Sequence, residues 1–214
     1  MTAVLFDLDG TLIDSLPNVT NAANKVLDAW ELPHLTPSTV AGFVGLGEQV
    51  FVDRLLAATQ LDPAERSEIL GVFIRHYKEE ALKTRLFPGV NEALGVLKEA
   101  GVPMGLVTNK PRAPLIPTLA SAGIGDFFDV ILAGDDLSKR KPDPLPVTTA
   151  MDQMGQTRAI YIGDSETDAK TAQNAGAPFI LFTEGIRVGP IEDLPHDVAF
   201  NDFGQLPEIV MRYV

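Results

Sequence analysis

Two carboxylates stand two residues apart in Phe6-Asp7-Leu8-Asp9-Gly10-Thr11, directly before a glycine turn. Three further segments carry polar groups of matching use. Val107-Thr108-Asn109-Lys110 offers a hydroxyl, followed by backbone N–H groups that suit an anion. Lys141-Pro142-Asp143-Pro144 follows Arg140 and sets a lysine in a rigid proline turn, where its ammonium projects as a point charge. Gly163-Asp164-Ser165-Glu166-Thr167-Asp168 gathers acids again. Each segment alone has a plainer reading. Asp-Gly is a common turn pair. Asp164 or Ser165 would cap a helix, with the other acids favouring its dipole. The threonine and lysine segments would be ordinary polar loops. Together, however, they supply acids for a hard divalent cation, a hydroxyl and a lysine. A phosphate ester repels an incoming carboxylate unless such groups neutralise its charge, so the combined inventory suits phosphoryl transfer. Asp164 is expected to share a cation with Asp7. Asp168, one helical turn on, is expected to support that site from behind. Oxygen ligands in a chain with no cysteine and only 3 histidines favour Mg²⁺ over zinc.

Such loops act together only if the fold brings them together. Apolar runs at 3–6, 104–108, 130–133, 159–162 and 179–182 lack polar alternation, as strands buried on both faces of a parallel sheet do. Each polar segment follows one of these runs, and open α/β sheets bind ligands beyond the carboxyl ends of their strands. Helical spacing appears between the runs. Val90, Leu94 and Leu97 lead to a stop at Gly101, and Ala169, Ala172 and Ala175 lead to one at Gly176. The alternation implies a doubly wound α/β domain with a parallel sheet. Three prolines, Pro111, Pro114 and Pro117, leave the helix after the second run either starting late or kinked.

Residues 16–83 break the alternation with helical patterns alone. Val19, Ala22, Val26 and Trp30 share one face, and Ile69, Phe73 and Tyr77 form another stripe. Thr36-Pro37 suits a helix start. So does Asp62-Pro63-Ala64-Glu65, with Glu65 at the capping-box position. The expected division is an α/β core of 1–15 and 84–214 interrupted by a helical domain, 16–83.

The bulk properties bound the function. A chain of 214 residues, 45% hydrophobic, can bury a substantial core. Its 29 acidic against 17 basic residues give a net charge of -12. That argues against nucleic acid and anionic lipid as partners but leaves a small anionic substrate open. Without cysteine there are no disulfides, thiolate metal sites or cysteine nucleophiles. The lack of cysteine fits a cytoplasmic protein. The first residues turn acidic at once and do not read as a signal peptide.

The four segments resemble the motifs of the haloacid dehalogenase superfamily of phosphohydrolases, and the resemblance spans essentially the whole chain. It includes the helical insertion, which is similar to that family's cap domain. It implies Asp7 as the nucleophile that forms an aspartyl-phosphate and Asp9 as the general acid and base. Thr108, helped by the Asn109 backbone, would bind the phosphoryl oxygens, and Lys141 would offset charge on Asp7 and the phosphate. Asp7, the main-chain carbonyl of Asp9, and Asp164 would hold Mg²⁺, with Asp168 supporting them.

Dehalogenases of the superfamily generally lack the second acid, so Asp9 points to phosphate chemistry. Phosphonate hydrolases use a cap lysine, for which Lys25 is the weak counterpart here. Sugar phosphomutases share the same motifs, and a binding protein on this fold is the non-enzymatic alternative. The stretches Ala133-Gly134-Asp135-Asp136-Leu137, Gly163-Asp164-Ser165 and Thr183-Glu184-Gly185 resemble phosphoglycolate phosphatases. The resemblance implies a small acidic ester whose carboxylate needs a donor from the cap. Gly45 and Gly47, in a glycine-rich turn before a helix, are expected to close over that end of the substrate, assisted by Arg54. Opening and closing would occur about linkers near 14–17 and 83–89.

Overall fold

A computed structural model describes residues 2–214. Its strands are β1 (Thr2–Phe6), β2 (Ile13–Asp14), β3 (Arg85–Leu86), β4 (Met104–Val107), β5 (Val130–Leu132), β6 (Arg158–Gly163), β7 (Phe179–Phe182) and β8 (Val198–Phe200). Six of them form one parallel sheet in the order β5-β4-β1-β6-β7-β8, while β2 and β3 pair antiparallel outside it. The helices are α1 (Leu16–Ala29), α2 (Pro37–Ala41), α3 (Glu48–Ala58), α4 (Arg66–Ala81), α5 (Val90–Glu99), α6 (Arg112–Ala122), α7 (Leu145–Gln153), α8 (Glu166–Ala175) and α9 (Leu206–Val210).

The apolar runs are strands because helices cover both sides of them. Val4 and Phe6 of β1 face Leu94 and Leu97 of α5, Leu115 of α6 and Leu206 of α9 in one apolar layer. Ala3 and Leu5 face the opposite layer, with Val147 and Ala150 of α7 and Ala169 and Ala172 of α8. Register then sets the site. Phe6 lies opposite Leu106 on one neighbour and Ile162 on the other. The chain therefore leaves β1, β4 and β6 at nearly one level, at the switch point where ligands bind in such sheets.

Helices α1 to α4 have an apolar core of their own, built from Val19, Val26, Leu27, Phe51, Leu55, Ile69 and Phe73. The Phe51 and Phe73 rings stack at 4.5 Å and Phe73 and Tyr77 at 5.5 Å, which ties α4 to α3. The chain enters and leaves this insert beside the β2–β3 ladder, where Ile13 pairs with Leu86 and Asp14 with Arg85.

Several local expectations are corrected. Thr36 does cap α2 through the Thr39 N–H. Asp62, however, caps a single 3₁₀ turn through Ala64, and Glu65 accepts from Trp30 Nε1 at 2.7 Å instead of closing a capping box. Trp30 itself lies just past the end of α1. The proline-rich helix does not start late: α6 begins at Arg112 and runs on through Pro114 and Pro117. Pro114 lies in the first turn, where an N–H has no helical acceptor to lose, and only Pro117 is interior, removing a bond to the Ala113 carbonyl. Strands β2, β3 and β8 fall outside the apolar runs that mark the other strands. The first two have two residues each, and β8 is a half-exposed edge of three.

Candidate active site

Asp7 leaves the end of β1 buried, with its amide tied to the Ile162 carbonyl at 2.9 Å. Lys141 Nζ stands 2.8 Å from Asp7 Oδ1 and 2.8 Å from Asp168 Oδ1, and donates to Tyr161 Oη at 3.0 Å. The Asp7 contact is an ion pair without hydrogen-bond alignment, since Oδ1 has no hydrogen-bond donor among the described residues. Tyr161 in turn donates to the Val107 carbonyl at 2.9 Å, so the lysine is braced from within the sheet. Burial pulls the Lys141 ammonium down, but Asp168 and Asp7 more than reverse this, so it is held charged.

Asp164 is fixed just as firmly. Thr11 Oγ1 donates to its Oδ1 at 2.6 Å, and Ile186 N to its Oδ2 at 2.6 Å. A Cβ at Gly10, whose φ is +87°, or at Gly185 would strike the Asp164 carboxylate. Glycine is required at both positions for this approach. Asp168 Oδ2 accepts from Ser165 Oγ at 2.6 Å and from Ser165 N at 3.1 Å, while the Ser165 hydroxyl caps α8. Oxygens of Asp7, Asp164 and Asp168 all lie within 4.8 Å of one another. Burial, and then the neighbouring acids, push Asp164 well above the usual carboxylate range. Burial likewise pushes Asp7 up to about 7, with Lys141 opposing. Three buried carboxylates served by one lysine form a donor set short of positive charge, and its all-oxygen chemistry fits a hard divalent cation.

Asp9 turns the other way. Its Oδ1 and Oδ2 lie 3.0 and 3.3 Å from Lys110 Nζ. Lys110 also hydrogen-bonds Tyr77 Oη of α4. The carboxylate of Asp9 is therefore outside the acidic cluster, and only its main chain is left to serve a cation there. Thr108 Oγ1 accepts from Lys110 N at 3.1 Å and keeps its own proton to donate. These groups line a cavity of about 70 Å³ between the sheet and the insert, closed on the insert side by Val19, Phe43, Phe51 and Phe73.

A model of haloacid dehalogenase-like hydrolases matches residues 4–182. The chain belongs to that family. The phosphoglycolate phosphatase of Rhodobacter capsulatus is 42% identical over 210 residues, covering 97% of this chain and 96% of that protein. One from Cereibacter sphaeroides is 39% identical over 215 residues, covering 99% of each. A crystal structure from Haemophilus somnus, described as a predicted phosphoglycolate phosphatase, has a TM-score of 0.92 at 31% identity and covers 98% of both chains.

In this hydrolase the core residues singled out from sequence converge: Asp7, Asp9, Thr108, Asn109 and Lys141 line the cavity, with Asp164 and Asp168 behind Asp7. Gly45 and Gly47 line it too. Asn109 Nδ2 donates to the Gly45 carbonyl at 2.9 Å and to the Lys141 carbonyl at 3.0 Å, so its amide ties insert to sheet. Arg54 does not reach the cavity. Its Nη1 donates to the Gly42 carbonyl at 2.7 Å, because the turn before α3 leaves that acceptor open beside it. Lys25 is likewise elsewhere, bonded to Glu80 at 2.9 Å. The sequence pattern gives no individual site role to Lys110, Tyr77, Thr11 or Tyr161. A lone tyrosine inside an otherwise apolar strand run was the one available signal, at Tyr161.

Proposed function

We propose that this hydrolase cleaves a phosphate monoester through a phosphorylated Asp7, and that its substrate is 2-phosphoglycolate. One observation carries the reading. Asp7 is buried at the end of the central strand, beside Lys141 and within 4.8 Å of Asp164 and Asp168, and it faces a cavity shared with Asp9 and Thr108. A carboxylate oxygen of Asp7 attacks phosphorus as the ester P–O bond breaks, and Asp9 gives its proton to the leaving oxygen. Water then attacks the same phosphorus and passes a proton to Asp9. The bond to Asp7 breaks, releasing inorganic phosphate and restoring the carboxylate. Lys141 and the Thr108 hydroxyl offset charge on the phosphoryl oxygens, helped by the Asn109 backbone. Asp7, Asp164 and the Asp9 main-chain carbonyl would hold Mg²⁺, which when bound neutralises phosphoryl charge. Asp168 keeps Lys141 and Ser165 in place. Residues 16–83 act as a cap that excludes water, with Gly45 and Gly47 over the organic end.

The small cavity and the relatives' names favour a short ester such as 2-phosphoglycolate. Phosphate release from a panel of small esters tests this. The highest kcat/KM is expected on 2-phosphoglycolate, with release lost on chelation or in Asp7→Asn. Undiminished release by Asp7→Asn rejects the mechanism. A better rate on a sugar phosphate rejects the substrate, and an isomerised sugar phosphate as product indicates a mutase.

A further inference from the structure

We infer that Lys110, held between Asp9 of the sheet and Tyr77 of the insert, is the residue that selects phosphate esters carrying an acidic group next to the leaving oxygen. The inference rests on the substrate reading above and names the group that would enforce it. Two lysines line the cavity, Lys141 and Lys110. Lys141 is engaged with Asp7 and Asp168 on the phosphoryl side. Lys110 is the remaining cation, and its side chain is only 1% exposed. Much of the facing wall is apolar: Val19, Phe43, Phe51 and Phe73. An anionic tail buried against such a wall needs a cationic partner.

Spacing adds a second argument. Asp9 is the group that must meet the leaving oxygen. In a 2-hydroxy acid ester, one carbon separates that oxygen from the carboxyl carbon, so a carboxylate oxygen lies within roughly 3.5 Å of it by bond lengths alone. Lys110 Nζ stands 3.0 Å from Asp9 Oδ1, so an acid placed to protonate the one oxygen has its lysine placed to meet the other. An ammonium has three N–H donors. Asp9 engages the ammonium through both carboxylate oxygens, at 3.0 and 3.3 Å, and Tyr77 through its hydroxyl, so a substrate carboxylate would take over the longer Asp9 contact. Tyr77 sets the direction, since its ring is stacked on Phe73 and its centroid lies 4.4 Å from the ammonium.

The test is the ratio of kcat/KM on 2-phosphoglycolate to that on ethyl phosphate, which has the same two-carbon chain without the acid. Wild-type enzyme should prefer the acidic ester. Lys110→Met should reduce the ratio about 10- to 100-fold, chiefly through KM on the acidic ester. Lys110→Arg should restore part of it, and Tyr77→Phe should reduce it several-fold. A wild-type enzyme with no preference contradicts the substrate reading itself. A wild-type preference that survives Lys110→Met, with both rates falling together, overturns the inference and leaves Lys110 as a positioning residue for Asp9. If Lys110→Met fails to fold by thermal melting, Tyr77→Phe decides, because it keeps the ring stack: an unchanged ratio there overturns the inference as well.

Discussion

Asp7 is held against its own ionisation. Burial pushes it from 3.8 up to about 7, Lys141 pulls it back, and Asp168 and Asp9 add to the push. The folded chain therefore keeps this proton more tightly than the unfolded chain does. Stability contributed by the protonated form is present below 3.8 and is lost as pH rises to about 7. Replacing the acid by its neutral isostere removes that penalty and leaves Lys141 paired with Asp168 at 2.8 Å. In chelator, Asp7→Asn should be more stable than the wild type at pH 8 by ~2–4 kcal/mol, seen as a melting point several degrees higher. The gap should close as pH falls toward 4. A gap of the same size at pH 4 and pH 8 would show that Asp7 is not the strained group. If Asp7 is the nucleophile, the same variant should also lose phosphate release, so that stability and activity move in opposite directions at this residue.

At the scale of elements, α1 and α4 are fastened where the insert meets the sheet. Glu80, in the last turn of α4, is 1% exposed. It accepts from Lys25 at 2.9 Å and Lys83 at 2.8 Å, while its main-chain carbonyl accepts from Asn18 at 3.0 Å. Burial alone would raise this carboxyl, but the hydrogen bonds from Lys83, Lys25 and Asn21 bring it down to about 2. Its contribution to folding is thus present above the ordinary 4.5 and lost as pH falls toward 2. Glu80→Gln should cost about 1–2 kcal/mol in urea unfolding at pH 7, with the difference from wild type shrinking below pH 4.5. Solvent weakens these contacts, since the side chains of Lys25 and Lys83 are 38% and 65% exposed. A difference independent of pH would assign the loss to packing. The same elements show what a sequence reveals. The long strands were legible because burial on both faces leaves runs such as Val4-Leu5-Phe6 uniformly apolar. The convergence of Asp7, Thr108 and Asp164 was legible because each follows such a run. Glu65 closes no capping box because a partner 35 residues away, Trp30, outcompetes the local bond, and Arg54 is held across a turn by the Gly42 carbonyl. The role of Lys110 is not legible in the sequence because its partners, Tyr77 and Asp9, lie 33 and 101 residues away.

For the whole molecule, charge and substrate have the same sign. The net charge is -12, and Asp7, Asp9 and Glu48 line the cavity against Lys110 and Lys141. The protein's own charges do not draw an anion in from a distance, so the two buried lysines, like a bound Mg²⁺ beneath the acidic surface, would act at contact range after the ester has entered. An acidic phosphate ester approaching this acidic surface is repelled over about a Debye length, near 10 Å at 0.1 M salt. Added inert salt shortens that range, while Lys110 and Lys141 are buried and are screened much less. With Mg²⁺ saturating, kcat/KM on 2-phosphoglycolate should therefore rise roughly two- to fivefold between about 10 and 150 mM salt. Ethyl phosphate, with one less negative charge, should respond less. A steady fall with salt would mean that a positive funnel over the cleft outweighs the acidic surface, and the contact-range account of the two lysines would then fail.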